Sequence, residues 1–122
     1  MKHRIFVYGT LKRGLENAHY LAGQTFLGEA RTAPEYRMVS LGGYPGMLEA
    51  SEIGRCIFGE VWEVDQSCKC ALDELEGIEE GLYVFAAVRL LAPFDAGSVF
   101  TYLYARSISA RPDAGENWIG GA

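Results

Sequence analysis

The sequence is short of cysteine, of positive charge and of long apolar runs. Its three cysteines, Cys56, Cys68 and Cys70, form an odd set with no disulfide framework. The net charge of −5 argues against nucleic acid or an anionic membrane surface as a partner. Residues 1–4 lead directly into a short apolar strand, with no secretory signal and no membrane-length apolar run. We therefore expect a cytoplasmic protein.

Metal-binding side chains are also scarce. Cys68 and Cys70 are two residues apart on a predicted helix, so they point to different sides, and neither His3 nor His19 lies near them in the sequence. We expect no metal site. A cysteine nucleophile would need a paired base that the sequence does not provide, and a lone histidine such as His19 is more often a packing or surface residue than a base.

The length and composition are those of a folded globular chain. At 122 residues we expect one domain, residues 1–122, large enough to bury roughly two-thirds of its unfolded surface. Apolar runs and apolar–polar alternation predict strands over 4–8, 26–32, 36–41, 57–64, 83–91 and 99–105. Because strands outnumber helices and several follow one another directly, we predict an α+β fold with a curled, mostly antiparallel sheet.

Two short helices and two other features complete the predicted architecture. One helix is expected around 17–21 with Asn17 as its N-cap, and a second is expected from the cap Asp65 to about 75, closed by Gly77. The segment 42–46 contains three glycines and a proline, which predicts a turn. We also expect Trp118 and Ile119 to fold back onto the body.

The first predicted strand ends in the turn Tyr8-Gly9-Thr10-Leu11. A buried strand that ends in such a turn leaves backbone N–H groups without ladder partners, and consecutive free N–H groups can bind an anion such as a carboxylate. Gly9 allows close approach of a ligand and permits positive φ. The alternative is an ordinary loop without a ligand. The following Lys12 and Arg13 either add positive charge to this site or lie in solvent.

Five acids fall within the eight positions 73–80. For Glu76, crowding by other carboxylates, the negative end of the preceding helix and shielding by apolar neighbours would each raise the pKa. A glutamate with a raised pKa can act as an acid–base group near neutral pH. The alternative is a solvated helix face. Glu60 is a weaker candidate acid, and it could instead anchor a backbone group or a Lys or Arg side chain.

Several segments together resemble one family. Tyr8-Gly9-Thr10-Leu11-Lys12-Arg13-Gly14, Asn17, Tyr44-Pro45-Gly46, Gly59-Glu60-Val61-Trp62, and Leu72-Asp73-Glu74-Leu75-Glu76 followed by Tyr83 are similar, in order and spacing, to the gamma-glutamylcyclotransferase-like family. Within that family the likeness is to the gamma-glutamylamine cyclotransferase branch and its small bacterial relatives. It extends from residue 5 to about 105.

The resemblance implies a small barrel-like sheet with flanking helices and a pocket at the turn. It implies that the α-amine of a gamma-glutamyl group attacks its own side-chain amide, giving 5-oxoproline and a released amine or peptide. It assigns Glu76 as the catalytic general acid/base and places Tyr8, Gly9, Thr10 and Leu11 at the substrate. We also expect Tyr83 to bind substrate as part of the pocket wall, and the alternative is an ordinary packing role. The only partner implied is a small-molecule gamma-glutamyl substrate, and the reaction needs no cofactor.

One position departs from the family pattern, and two questions stay open. Relatives commonly carry an arginine two residues after Tyr83, where this sequence has Phe85. The alternative function is a non-catalytic module of the same fold that senses a small carboxylate metabolite. A monomer is the default assembly, and a dimer is the open alternative.

Overall fold

A five-stranded sheet organises the computed structural model, which describes residues 2–50 and 52–119. Residue 51 and the two ends of the predicted domain, residue 1 and residues 120–122, lie outside the described part. The strands are β1 (Lys2–Val7), β2 (Thr25–Arg31), β3 (Tyr36–Ser40), β4 (Pro45–Glu49), β5 (Phe58–Asp65), β6 (Tyr83–Ala87) and β7 (Phe100–Tyr104). The sheet has the order β2-β5-β1-β7-β6, and β3 and β4 form a separate hairpin. All pairings are antiparallel except that of β1 with β7, which confirms the predicted α+β, mostly antiparallel class.

The two edges of the sheet meet at one corner. Beyond β2, Thr32 bridges to Leu90 beyond β6, and the N–H of Ala33 donates to the carbonyl of Arg89 at 2.9 Å. The N–H of Leu91 likewise donates to the carbonyl of Arg31 at 3.0 Å. These bonds give the sheet a barrel-like curl. The predicted strand 83–91 is shorter in the structure, where β6 ends at Ala87. Beyond this point the chain leaves β7 and bonds to the segment that follows β2, at the opposite edge of the sheet.

The hairpin β3–β4 shows an error in the sequence-based prediction. A turn was expected over 42–46, but Pro45 and Gly46 begin β4. Proline is tolerated as the first residue of a strand because its missing N–H costs no ladder bond there. Gly46 is needed for packing, since a Cβ at this position would lie 2.8 Å from Cβ of Tyr104.

The α-helix follows the prediction closely, whereas the other helix does not. Helix α1 (Gln66–Leu75) is capped at its N-terminus by Asp65, whose carboxylate accepts a hydrogen bond from the N–H of Cys68 at 2.8 Å. This bond lowers the pKa of Asp65. Gly77 follows the helix with φ of 65°, a conformation that glycine adopts readily.

The segment Ala18–Leu21 is a 3₁₀ helix, and Asn17 makes no side-chain cap for it. The predicted cap is therefore wrong. The Asn17 side chain is instead bonded to Thr10, because its amide donates to the Thr10 hydroxyl at 2.9 Å.

Two buried clusters pack on the two faces of the sheet. Along β1, Ile5 and Val7 belong to one cluster and Phe6 to the other, as expected because side chains alternate across a strand. Helix α1 covers the first cluster, and the β3–β4 hairpin covers the second. Trp118 joins the second cluster as expected, but Ile119 is exposed, so that half of the expectation is wrong. Across residues 2–50 and 52–119, no helix has the length and apolar character that a membrane crossing requires.

Candidate active site

A cavity of about 340 Å³ lies where β1 ends and α1 ends. It brings together all six predicted site residues, which come from three distant parts of the sequence: Tyr8, Gly9, Thr10, Leu11, Glu76 and Tyr83. Other walls come from the Gly43–Pro45 segment, from Leu75 and Leu82, and from Thr101 and Tyr102 on β7. The predicted turn and the predicted acid therefore face a common space.

The turn after β1 is held from within. The carbonyl of Gly9 accepts from the N–H of Lys12 at 3.1 Å, and the carbonyl of Thr10 accepts from the N–H of Asn17 at 2.9 Å. In the part of the chain that the structure describes, the N–H groups of Gly9, Thr10 and Leu11 donate no hydrogen bond. Three consecutive free donors at the cavity wall form a site suited to a carboxylate or an oxyanion.

Gly9 is required by packing and not by backbone conformation. Glycine permits positive φ, but Gly9 does not adopt it. A Cβ at Gly9 would lie 2.8 Å from Cγ and 2.9 Å from Cδ of Pro45. Glycine thus lets the turn lie directly against the first residue of β4.

Glu76 stands at the C-terminal end of α1, where its N–H donates to the carbonyl of Leu72 at 2.9 Å. Its side chain is partly buried in the cavity wall and, among the described residues, has no hydrogen-bond partner. Burial raises the pKa of Glu76 to about 7. The carboxyl group is therefore close to half-ionised at neutral pH.

The cause of this raised pKa differs from the predicted combination. Three effects were expected, but burial is the one that raises the pKa of Glu76, and crowding by the neighbouring acids is not. The reason is placement. Glu74, Glu79 and Glu80 are exposed to water, which screens their charges from the cavity.

The hydroxyls of two predicted site tyrosines, Tyr8 and Tyr83, are occupied by hydrogen bonds within the protein. Tyr8 donates to the carbonyl of Tyr102 at 2.6 Å and accepts from the N–H of Met47 at 3.1 Å. Tyr83 donates to the carbonyl of Pro45 at 2.7 Å. Burial raises the pKa of Tyr8 and of Tyr83 above the ordinary value, and the charge of Glu76 adds to this. These phenols stay neutral, whereas the pKa of Glu76 lies near 7.

Tyr102 is a cavity residue that the sequence analysis missed. Its hydroxyl donates to a carboxylate oxygen of Asp73 at 2.7 Å, and Asp73 also pairs with Lys69 at 2.7 Å. The only available signal was the aromatic alternation along 100–104, which marks a strand and not a site. Position 85 lies beside this network: the Phe85 ring stacks on Phe100, with centroids 5.2 Å apart, and the Lys69 ammonium lies 4.1 Å from its centre.

The other candidates lie elsewhere. Lys12 donates to Asn117 at 2.7 Å and Arg13 binds Glu60 at 3.0 Å, so neither lines the cavity as an extra positive charge. Glu60 is thus an anchor, the second of its two predicted roles. His19 is exposed and lies against Tyr20. Among the described residues that line the cavity, the charged ones are Glu16 and Glu76.

Comparison with known proteins adds a family and close structural neighbours. The family model described as "Gamma-glutamyl cyclotransferase, AIG2-like" matches residues 5–120. A putative gamma-glutamylcyclotransferase from Vibrio cholerae is 33% identical over 116 residues, which are 95% of this chain and 96% of the relative. The rat gamma-glutamylaminecyclotransferase is 40% identical over 82 residues, which are 60% of this chain and 54% of the relative. The crystal structure of a mouse AIG2-like protein superposes with a TM-score of 0.78 at 28% identity, covering 94% of this chain and 87% of the other.

Proposed function

Because this chain belongs to the gamma-glutamyl cyclotransferase, AIG2-like family, we propose that it converts a gamma-glutamyl amine or peptide into 5-oxoproline and a free amine. Activity of the gamma-glutamylcyclotransferase type follows from the family, and the product and the roles of individual residues are our proposal. The observation that carries it is the shared cavity. Glu76, with its raised pKa, and the free N–H groups of residues 9–11 face the same space.

The reaction is intramolecular, so positioning contributes much of the rate. The α-amine nitrogen attacks the γ-carbonyl carbon, a new C–N bond closes the five-membered ring, and the original C–N amide bond breaks. Holding a flexible chain in a ring-closing pose removes the entropy cost of reaching that pose before the chemical step. The N–H groups of Gly9, Thr10 and Leu11 would hold the substrate carboxylate, and they could also meet charge that develops on the carbonyl oxygen.

Glu76 would move one proton in two steps. In its ionised form the carboxylate takes a proton from the α-ammonium group, which frees the nitrogen lone pair for attack. The protonated carboxyl group then gives this proton to the leaving nitrogen as the amide bond breaks. The ring nitrogen still carries one proton more than the lactam, and it passes this second proton to the released amine, so the products are 5-oxoproline and an ammonium ion. A pKa of about 7 suits both steps at neutral pH.

The test is product formation by the wild type and by Glu76→Gln. With a panel of gamma-glutamyl amines and dipeptides, we expect 5-oxoproline from the wild type and a fall in kcat of about 10²- to 10⁴-fold in the variant. Glu74→Gln is the matched control, since Glu74 lies two residues earlier on α1 and is exposed. Equal product release from wild type and Glu76→Gln would reject the assigned role. Binding of the panel without turnover would instead favour a sensing module.

A further inference from the structure

A buried glutamate outside the cavity is bonded to the loop that forms the cavity wall. Glu60 on β5 has a side chain that is only 9% exposed. One carboxylate oxygen accepts from the backbone N–H of Arg13 at 3.1 Å and from the indole N–H of Trp62 at 3.1 Å. The other accepts from Nε of Arg13 at 3.0 Å. Glu60 is thus the acceptor for three donors and has no part in the proton transfer proposed for Glu76.

Both ends of the cavity turn meet at this one residue. In the β1–β5 pairing, Val7 at the end of β1 lies opposite Glu60. The chain then forms the turn with its free N–H groups and returns at Arg13, whose N–H binds the Glu60 carboxylate. Residues 8–12 therefore connect Val7, which pairs with the backbone of Glu60, to Arg13, which binds the Glu60 side chain. Displacement of that carboxylate would release one end of the turn.

The surroundings keep this anchor fixed. The Arg13 guanidinium lies over the Phe26 ring, 3.8 Å from its centre, and the neighbouring Lys12 ammonium is held by Asn117 at 2.7 Å. Bonds from neutral donors and from a guanidinium to a buried carboxylate are among the stronger hydrogen bonds in proteins. The position of the donors at Gly9, Thr10 and Leu11 thus depends on a charge that does not face the cavity.

We infer that Glu60 is a positioning residue, which sets the placement of the N–H groups of residues 9–11 for the substrate carboxylate. This inference rests on the proposed function for its kinetic consequence, but the placement of the turn can be measured without turnover. Glutamine at position 60 keeps the size of the side chain. It removes the charge and replaces one acceptor by an NH₂ group that would face donors.

The kinetic test is Glu60→Gln, with Glu63→Gln as the control. Glu63 lies on the same strand and makes an ion pair with Arg4 at 3.8 Å, away from the cavity turn. We expect KM to rise about tenfold in Glu60→Gln, as loss of roughly one charged hydrogen bond predicts. The pH at half-maximal kcat/KM, which reports Glu76, should not move. A merely structural loss would lower the folded fraction, hence kcat, and would leave KM unchanged.

The second measurement is independent of activity. In ¹⁵N-labelled protein, we expect the amide resonances of Gly9, Thr10 and Leu11 to shift in Glu60→Gln, while Glu63→Gln leaves them in place. If Glu60→Gln does not fold, Arg13→Ala replaces it. This variant removes the hydrogen bond from the guanidinium to Glu60 and keeps the one from the backbone N–H of residue 13. We expect the same three amide resonances to shift, but by less.

Unchanged amides would overturn the inference whether or not the protein is active. Turnover by Glu60→Gln at the wild-type KM would also overturn it, leaving the proposed function intact. Absence of any product from the wild type would reject the proposed function alone, because the amide measurement would still decide the role of Glu60.

Discussion

Glu60 is buried and Glu76 is partly buried, and the two carboxyl groups have opposite surroundings. Glu60 accepts three hydrogen bonds from Arg13 and Trp62, and its carboxylate serves as a structural anchor. Glu76 has no such partner among the described residues, and burial raises its pKa to about 7. Burial therefore does not by itself define a catalytic acid. A buried carboxyl group without hydrogen-bond donors can exchange a proton near neutral pH. A buried carboxylate that accepts several hydrogen bonds instead fixes the positions of the groups that donate them.

We expect a large loss of activity in Gly9→Ala. This substitution disturbs the turn that Glu60 anchors and that lies across the cavity from Glu76. The added Cβ would lie 2.8 Å from Pro45, so the turn or β4 must move. Since displacements of about 1 Å in a positioned site can cost about 10²-fold, we expect a fall of that order in kcat/KM. Gly97→Ala is the control, because a Cβ there would lie 3.5 Å from a guanidinium nitrogen of Arg4, which is an ordinary van der Waals contact. Wild-type kcat/KM in Gly9→Ala would show that the close packing on Pro45 is not needed.

The next effect is the pH dependence of the reaction. In the proposed reaction Glu76 must be ionised to accept the α-ammonium proton, and its pKa is raised to about 7. We therefore expect kcat/KM to fall about tenfold for each pH unit below 7 and to level off above it on this limb. The measurement is a pH profile from 5 to 8.5. A limb with its midpoint near 4.5, the ordinary value for glutamate, would mean that the cavity does not shift this group.

The smallest effect is on stability, and here the two glutamates should respond in opposite directions. Because the pKa of Glu76 is higher in the folded state, the folded protein binds more protons between pH 4.5 and 7, and its stability falls as the pH rises through that window. Above pH 7 the ionised carboxylate is a net cost, which Glu76→Gln removes. We expect this variant to be about 1–3 kcal/mol more stable than wild type at pH 8 by urea denaturation.

The contrast comes from Glu60→Gln, which should be less stable than wild type at every pH, since it leaves buried donors unpaired. Replacing glutamate by glutamine is thus expected to lower the stability at position 60 and, at pH 8, to raise it at position 76. A lower stability of Glu76→Gln at pH 8 would contradict this prediction, because it would mean that the ionised Glu76 carboxylate stabilises the folded protein.

The turn and the acid were predictable from the sequence because each carries a strong local signal. Gly9 follows an uninterrupted apolar strand, and Glu76 ends an amphipathic helix with a clear cap at Asp65. The remaining walls depend on long-range pairing. Thr101 and Tyr102 reach the cavity because β7 pairs in parallel with β1, some 95 residues away in sequence, and no local pattern encodes that partner.

Other misses have the same origin. The turn predicted over 42–46 rests on its three glycines and Pro45, whereas Pro45 and Gly46 begin β4 and Gly46 packs against Tyr104. The pKa of Glu76 was assigned partly to its acidic neighbours, because sequence spacing cannot show that those neighbours face water. Composition and periodicity thus predicted the elements, and tertiary contacts decided how they enclose the cavity.

Two tyrosine hydroxyls fasten the first residues of β4, one at the carbonyl of Pro45 and the other at the N–H of Met47. They reach this segment from Tyr83 on β6 and from Tyr8 after β1, so the hairpin is tied to the sheet at two separate strands. This wall of the cavity is consequently preorganised. The entropy lost on forming a complex then falls mainly on the rotatable bonds of the ligand, which favours short or stiff ligands over longer flexible ones.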